Sequence, residues 1–301
     1  MNFKVNKFDL HMHSDHSSDG VLTPYEILTI MRSRGINLFS ITDHNSVASA
    51  SVMKWYKGKY GNKTLYINGV ELSLYHGDRE IHVLAYGYNE SCNKMAGVLE
   101  CYHRNRVLQT ELRVEKLQDL GFKLEYAEVM KAAGGKLPSG VTFLKVLSKY
   151  AENRGMLKDY LIGEKSNSPY TNFYFDYFTK GGPAYVDVPL LDFDDTVAKL
   201  KDRAVLVLAH PSLYKGKDIS DITGDGISGI EAHSSYHTDE EIEFYLDYAE
   251  KNNLLITAGS DFHGDRIKPG IFLGGHGCTD LTVANKLIDR LTSMDNGYFF
   301  I

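Results

Sequence analysis

The chain has 301 residues, 43% hydrophobic and 24% charged, with 33 Lys plus Arg against 39 Asp plus Glu and a formal charge of −6. That balance excludes a protein that grips duplex DNA through bulk positive charge. No window approaches 18 uninterrupted apolar residues, which excludes a helical membrane span. Cys92, Cys101 and Cys278 are too few and too irregularly spaced for a disulfide framework or a four-thiolate zinc site. The opening MNFKVNKFDLHMHSD has no apolar stretch after its lysines, so no signal peptide is expected. The reading is a cytoplasmic chain with no obligate protein partner visible.

Residues 4–13 read as a first strand ending in LHMH. Thr23-Pro24 offers an N-cap with Pro at the first helical position for a helix over 25–34, closed by Gly35. A second strand over 38–42 runs into Asp43-His44-Asn45. A helix over 47–60, a third strand over 64–74 carrying Glu71, and a fourth over 80–87 carrying His82 follow. Strand and helix alternating at this cadence predict βα units and a largely parallel sheet. The pattern then changes to a long polar helix over 93–120 and shorter helices over 136–150 and 154–162. An aromatic, turn-rich segment over 166–179 offers rings to stack a base or to pack this region onto its host. The βα pattern resumes near Tyr185, with strands over 205–209, 228–232 and 254–258, a helix over 239–252 and a terminal helix over 282–291. The expected organisation is an α/β barrel, 1–91 and 185–301, interrupted by a helical insertion at 92–184 that caps its C-terminal rim.

None of the twelve histidines falls between 104 and 209. Many of the others stand beside Asp or Glu at the ends of short apolar runs. His11 and His13, two apart on a strand, share a face and can converge on one ion. His11, His13, Asp19, Asp43-His44, Glu71, His82, His210, Asp261 and His263 lie at or just after predicted strand ends. In a parallel barrel those ends share one rim, where active sites are built. Imidazoles and carboxylates together suit Zn, Mn or Fe. Asp43 reads as a partner of a ligating histidine or as a cap for the following turn. His233 reads as a rim or core residue, and His76, His103 and His276 as surface residues.

The segments DLHMHSDHSSDG, SITDHN, NGVELS, HVLAYGY, LAHP and GSDFHG, in this order, resemble the PHP (polymerase and histidinol phosphatase) family, above all its stand-alone TrpH-type phosphoesterases. The similarity spans about 9–88 and 185–265. It implies a distorted (β/α)7 TIM-like barrel holding two or three divalent ions. It implies His11, His13, Glu71 and Asp261 around one ion, with Glu71 bridging to a second held by His82 and His210. Asp19, His44 and His263 would hold a third. Asp19 stands six residues after His13 where TrpH-like sequences often show five, so His16 or Asp15 competes for its place. His237 matches a histidine beside the substrate phosphate, which makes Glu71, Asp261 and His237 the expected catalytic residues.

Cations for a phosphate are sought in Arg104, Arg106 and Lys145 of the insertion and in Arg266 after the last motif. Arg104 and Arg106 are two apart on a helix and point to different faces, so at most one reaches substrate. The expected function is metal-dependent hydrolysis of a small, nucleotide-type phosphate ester by a hydroxide held between the ions. A 5′-nucleotide, a nucleoside 3′,5′-bisphosphate and the 5′ end of a short RNA are the substrate classes. Histidinol-phosphate phosphatase is the alternative that the Asp19 spacing favours. A C–N hydrolase of the amidohydrolase kind would want a bridging lysine where Glu71 stands. A non-catalytic metal-binding PHP module is the alternative of another class.

Overall fold

The computed structural model describes residues 3–77, 79–188, 190–214, 219–294 and 297–301. Its strands form two sheets. In the first, β1 (Phe8–Asp9), β2 (Leu38–Phe39) and β3 (Leu65–Ile67) pair in parallel, and the C-terminal β9 (Tyr298–Phe300) runs antiparallel to β3. In the second, the order is β4 (Gly69–His76), β5 (Arg79–Tyr86), β6 (Val205–Leu208), β7 (Gly229–Ser234) and β8 (Leu255–Gly259).

The largely parallel arrangement expected from the sequence fails at β5. Gly77, at φ +64°, lies in the connection that folds β5 back on β4, so β5 is antiparallel to both β4 and β6. Parallel pairing resumes through β6, β7 and β8. The single strand expected over 64–74 is divided at Asn68, whose backbone bonds Gly297 and Gly87 and separates β3 from β4. Only Phe8–Asp9 of the expected first strand joins a ladder. Its continuation is held by Leu10 N–H to Ala258 O (3.1 Å), Asp261 N–H to His11 O (2.8 Å) and His13 N–H to Phe262 O (2.8 Å). On the other side, Glu71 N–H reaches Thr42 O at 3.2 Å. These bonds stitch the two sheets edge to edge, although no single closed sheet is present among the described residues.

The close approach of β8 to the first strand needs a glycine. A Cβ on Gly259 would lie 2.1 Å from the His11 Cβ and 2.6 Å from its backbone nitrogen. Relief would have to come from moving the strand that carries His11 and His13, because close-packed interiors do not absorb an extra carbon freely. Gly259→Ala should therefore cost about 1–3 kcal/mol of stability. It should also weaken metal binding, measured by thermal unfolding with and without added Mn²⁺; an unchanged melting temperature would refute this.

Helices α1 (Pro24–Ser33) and α2 (Ala48–Trp55) follow β1 and β2. Thr23 caps α1 and Pro24 occupies the first turn, as the sequence predicts, and the Glu26 carboxylate in turn accepts the Thr23 N–H. After the sequence leaves β5, α3 (Asn93–Asp119), α4 (Tyr126–Ala133), α5 (Gly140–Leu147), α6 (Lys158–Leu161) and α7 (Pro169–Phe178) follow one another. Then come α8 (Phe193–Leu200), α9 (Asp239–Lys251) and α10 (Leu281–Ser293). The chain divides into two compact units, Met1–Leu99 with Leu191–Ile301, and Glu100–Leu190. In the first, Leu10, Leu38, Leu65, Leu84, Val205 and Ala258 from both sheets share one core with Leu287 and Leu291 of α10.

The second unit has its own core, with Leu117, Val129, Phe143, Leu147, Phe173 and Phe178 in one cluster. Of the segment over 166–179, residues 166–168 turn as expected, but Pro169–Phe178 form helix α7, started by Pro169. Its Phe173 stacks on Tyr177 at 4.5 Å, and Phe173 and Phe178 are buried in the unit's own core. Aromatic residues have middling helix propensity, and packing outweighs it here. No helix among the described residues is long and apolar enough to cross a membrane.

Candidate metal centre

His11 and His13 project from the same face of the first strand's continuation, with Nε2 atoms 3.2 Å apart. Glu71, near the start of β4, brings Oε2 to 3.2 Å from His11 Nε2 and 3.1 Å from His13 Nε2. Asp261, just after β8, brings Oδ1 to 3.3 and 3.2 Å from the same two nitrogens. Five of the six separations among these four buried donor atoms are 3.1–3.3 Å, and all four atoms lie within 4.8 Å of one another. Donor atoms that close can share one ion, since Zn–N and Zn–O bonds are about 2 Å long.

The other carboxylate oxygen of Glu71 faces a second pair of imidazoles. Oε1 lies 2.9 Å from His82 Nδ1 and 2.9 Å from His210 Nε2. His44 Nδ1 approaches Oε2 at 3.1 Å. A third group surrounds Asp19, whose Oδ2 lies 3.4 Å from His263 Nε2 and 3.7 Å from His44 Nε2. Asp19, and not Asp15 or His16, joins His13, His44 and His263 within ligand-atom reach of one another. All nine residues singled out as ligands thus belong to one connected cluster. Asp19 Oδ1, His44 Nδ1, Glu71 Oε2, His82 Nδ1 and Asp261 Oδ1 are buried without a hydrogen-bond partner. Buried polar atoms are rarely left so. Lone pairs and carboxylate oxygens converging in this way fit divalent cations of the Zn, Mn or Fe type. Two of the positions are backbone outliers, His210 at φ +26° and Asp261 at φ +52°, the kind of strain that clusters at functional sites.

Distal nitrogens of the imidazoles are held from behind. Glu231 on β7 places Oε1 2.9 Å from His11 Nδ1, and its Oε2 accepts the His210 backbone N–H at 2.8 Å. Because a carboxylate can only accept, Nδ1 of His11 donates to Glu231, which leaves Nε2 to offer its lone pair to an ion shared with His13, Glu71 and Asp261. Ser17 Oγ lies 2.9 Å from His13 Nδ1 and accepts the His44 N–H at 2.8 Å. Tyr214 O–H lies 3.3 Å from His210 Nδ1 and accepts the His82 N–H at 2.8 Å. The ladder between β7 and β8 shifts register between Glu231 and His233.

Burial disfavours charge on His13, His82, His44, Glu71 and Asp261, and the cluster's own fields then decide. Against its burial, His13 is raised to about 9 by the adjacent Asp261 and Glu71 carboxylates. His82 is likewise raised to about 10 by Glu71 and Glu80. Burial, with His13 and His82 nearby, lowers His44 to about 3. Glu71 and Asp261 sit well below the carboxylate range because surrounding histidines outweigh desolvation. A raised histidine stabilises the fold fully below its unfolded value near 6.5 and loses that contribution as pH rises through its folded value. Metal-free protein should therefore lose melting temperature between pH 7 and about 10. With Mn²⁺ in place of those protons the slope should flatten. A pH-independent melting temperature of the metal-free form would contradict the assignment.

Other expectations fare differently. Asp43 caps no histidine: its oxygens accept Ser14 N–H (2.7 Å) and the Ser14 and Ser49 hydroxyls. His276 is not a surface residue but is buried, with Nε2 donating to Phe8 O at 2.7 Å and Nδ1 accepting the Cys278 N–H. His103 is exposed, and His76 stacks on Phe193 at 5.4 Å. His237 donates Nδ1–H to Ala232 O at 2.8 Å, leaving Nε2 buried and unpartnered. Arg106 hydrogen-bonds Gln109 and Pro138 O within the second unit, where Arg104 and Lys145 are exposed. Arg266 is exposed along a cavity of about 330 Å³ lined also by Arg34 and Phe272, not among the nine. A cavity of about 710 Å³ between Phe8, His276 and Leu281 also holds none of them.

Among the described residues, a cation that reaches the cluster is one the sequence does not single out. Lys268 Nζ lies 2.6 Å from Asp261 Oδ2 and 4.7 Å from the centre of the Tyr236 ring. Tyr236 in turn packs edge-on against His210 at 5.7 Å. Glu231 had a sequence signal, a carboxylate inside the apolar run GIEA. Lys268, Ser17 and Tyr214 had none.

A family model for the PHP domain matches residues 9–256. The chain belongs to the PHP domain family. This PHP protein is 26% identical over 267 residues to the 3′,5′-nucleoside bisphosphate phosphatase of Chromobacterium violaceum, covering 85% of this chain and 86% of that one. It is 27% identical over 268 residues to the 5′-3′ exoribonuclease of Haemophilus influenzae, with 86% and 90% covered. Among solved structures, a C. violaceum amidohydrolase with bound sulfate superimposes with a TM-score of 0.73 at 24% identity, over 95% of this chain and 97% of that one. These likenesses in structure establish the shared α/β fold.

Proposed function

We infer that this PHP protein is a metal-dependent phosphoester hydrolase whose substrate is a small nucleotide-type phosphate ester. The observation that carries the reading is Glu71, one buried carboxylate with each oxygen facing a different set of imidazoles. His11, His13, Glu71 and Asp261 would hold one ion, Glu71 with His82 and His210 a second, and Asp19, His44 and His263 a third. Divalent ions bound there would supply Lewis acidity toward a phosphoryl oxygen and acidify water. Zn, Mn and Fe all suit the donors. The bonds that stitch the first strand to β8 and β2 to β4 support a distorted (β/α)7 barrel, with all nine residues on one rim.

The chain's own residues have separable tasks. Glu231, Ser17 and Tyr214 orient imidazoles. His237, its Nδ1–H committed to a carbonyl, offers Nε2 as a hydrogen-bond acceptor in the neutral ring, which suits a substrate hydroxyl or a proton in transit. Lys268 is the substrate-phosphate cation in place of Arg266, because its ammonium already stands at the edge of the cluster and remains partly open to solvent. Lys268→Met should keep its metal but raise the inhibition constant of inorganic phosphate about tenfold or more, the worth of a charge-assisted hydrogen bond. Unchanged phosphate inhibition, or loss of metal with the lysine, would sink this role.

Named relatives act on nucleoside bisphosphates and on RNA from its 5′ end, which supports a nucleotide phosphate here. The test is phosphate release from 5′-mononucleotides, nucleoside 3′,5′-bisphosphates, 5′-phosphorylated oligoribonucleotides and histidinol phosphate, with Mn²⁺, Zn²⁺ or Fe²⁺ supplied. Turnover of a nucleotide substrate is expected. No turnover of any ester would favour a non-catalytic metal-binding module.

A further inference from the structure

Helix α1 begins five residues after Asp19, and α2 four residues after His44, so both helices depart from loops of the metal centre. Together they carry a face unlike the rest of an acidic chain. Residues 44–70 contain Lys54, Lys57, Lys59 and Lys63 and no acidic residue. Trp55 is 66% exposed and Tyr25 49% exposed.

The rings are ordered as a ladder. Tyr25 stacks on Tyr56 with centroids 5.5 Å apart and planes 20° apart, and Tyr56 stacks on Tyr60 at 6.0 Å and 17°. Trp55 meets Tyr56 edge-on at 4.8 Å. Cations interleave with them: Arg32 lies 3.9 Å over the Tyr60 ring, and Lys59 over Trp55. Lys54 is paired with Glu90, whereas Lys57 and Lys63 are exposed. Exposed flat rings alternating with cations are what single-stranded nucleic acid requires. Bases stack on rings whatever their sequence, and phosphates pair with the lysines. A second copy of this chain fits poorly, since it would bring two positive faces together.

We propose that the Tyr25–Trp55–Tyr56–Tyr60 face with its lysines binds single-stranded nucleic acid. It thereby makes a polymer end, rather than a free mononucleotide, the preferred occupant of the metal centre. Its bearing on turnover rests on the hydrolase reading above, but the binding does not need metal or chemistry.

The experiment measures fluorescence anisotropy of 3′-labelled, 5′-phosphorylated RNA and DNA strands of about 12 nucleotides. It uses the full chain in EDTA across a salt titration. The parent protein should bind one or both strands, and a mononucleotide competitor should displace them poorly. Trp55→Ala should weaken binding about tenfold. The double exchange Lys57→Glu with Lys59→Glu should weaken it further and shrink the salt slope by about 1.4, since two phosphates would no longer be neutralised. Both variants should keep the parent's melting temperature and its rate of mononucleotide hydrolysis. Absence of strand binding by the parent, or equal binding by the variants, overturns the proposal. So does a variant-sensitive change in sedimentation or binding to anionic vesicles in place of the strands. A metal-loaded protein that cleaves no phosphate ester would overturn the hydrolase reading while leaving strand binding in EDTA standing.

Discussion

Glu71→Gln should remove bound metal and turnover together, with kcat falling on the order of 10³-fold or more, the rate equivalent of several kcal/mol of Lewis-acid stabilisation. The carboxylate is fully buried, with Oε1 at 2.9 Å from both His82 and His210, and Oε2 within 3.2 Å of His11, His13 and His44. Glutamine keeps the shape and one acceptor. Its amide hydrogens would point at nitrogens that must offer lone pairs, and the anion shared by two ligand sets would be gone. Metal content by elemental analysis and phosphate release from a nucleotide panel check this side by side. If the variant kept full metal content and turnover, the bridging role of Glu71 would be wrong.

Glu231 ranks second in expected effect although it would touch no ion. Glu231→Gln should lower metal affinity tenfold to a hundredfold, the range typical of groups that orient ligating histidines. One carboxylate oxygen holds His11 in the tautomer that frees Nε2, and the other fixes the strained backbone of His210. Glutamine can serve only one of these as an acceptor. Glu231→Ala should add a stability loss of about 1–3 kcal/mol for each of the two buried N–H groups left unsatisfied. Competition for Zn²⁺ with a calibrated chelator measures the first effect and thermal unfolding the second. Parental zinc affinity in Glu231→Gln would show that His11 is oriented by something else.

What is legible in the sequence is local. The His11–His13 pair needs only the two-residue period of a strand to share a face. The Thr23–Pro24–Glu26 start of α1 is a chemical pattern complete within four residues. Asp261 and His263 follow an apolar run short enough to be a buried strand. The reversal of β5 is less legible, because antiparallel and parallel neighbours present the same apolar pattern when both faces are covered. Helix α7 escapes a sequence reading because its rings are dictated by the core they fill, not by helix propensity. His276 looks like a loop histidine, and the partner that buries it, the carbonyl of Phe8, lies 268 residues away.

By itself, then, the sequence determined which residue types stand at strand ends, in what order, and that they suit divalent metals. It could not determine which atoms meet. That Glu71 divides its oxygens between two imidazole sets, that Glu231 holds His11 across 220 residues, and that Lys268 rather than Arg266 reaches Asp261 are consequences of register and loop path. The physical reason is that a side chain's period sets its face, while its partner depends on how sheets are joined. Here that joining is done by a few backbone bonds between the first strand and β8, and by a glycine that lets them touch.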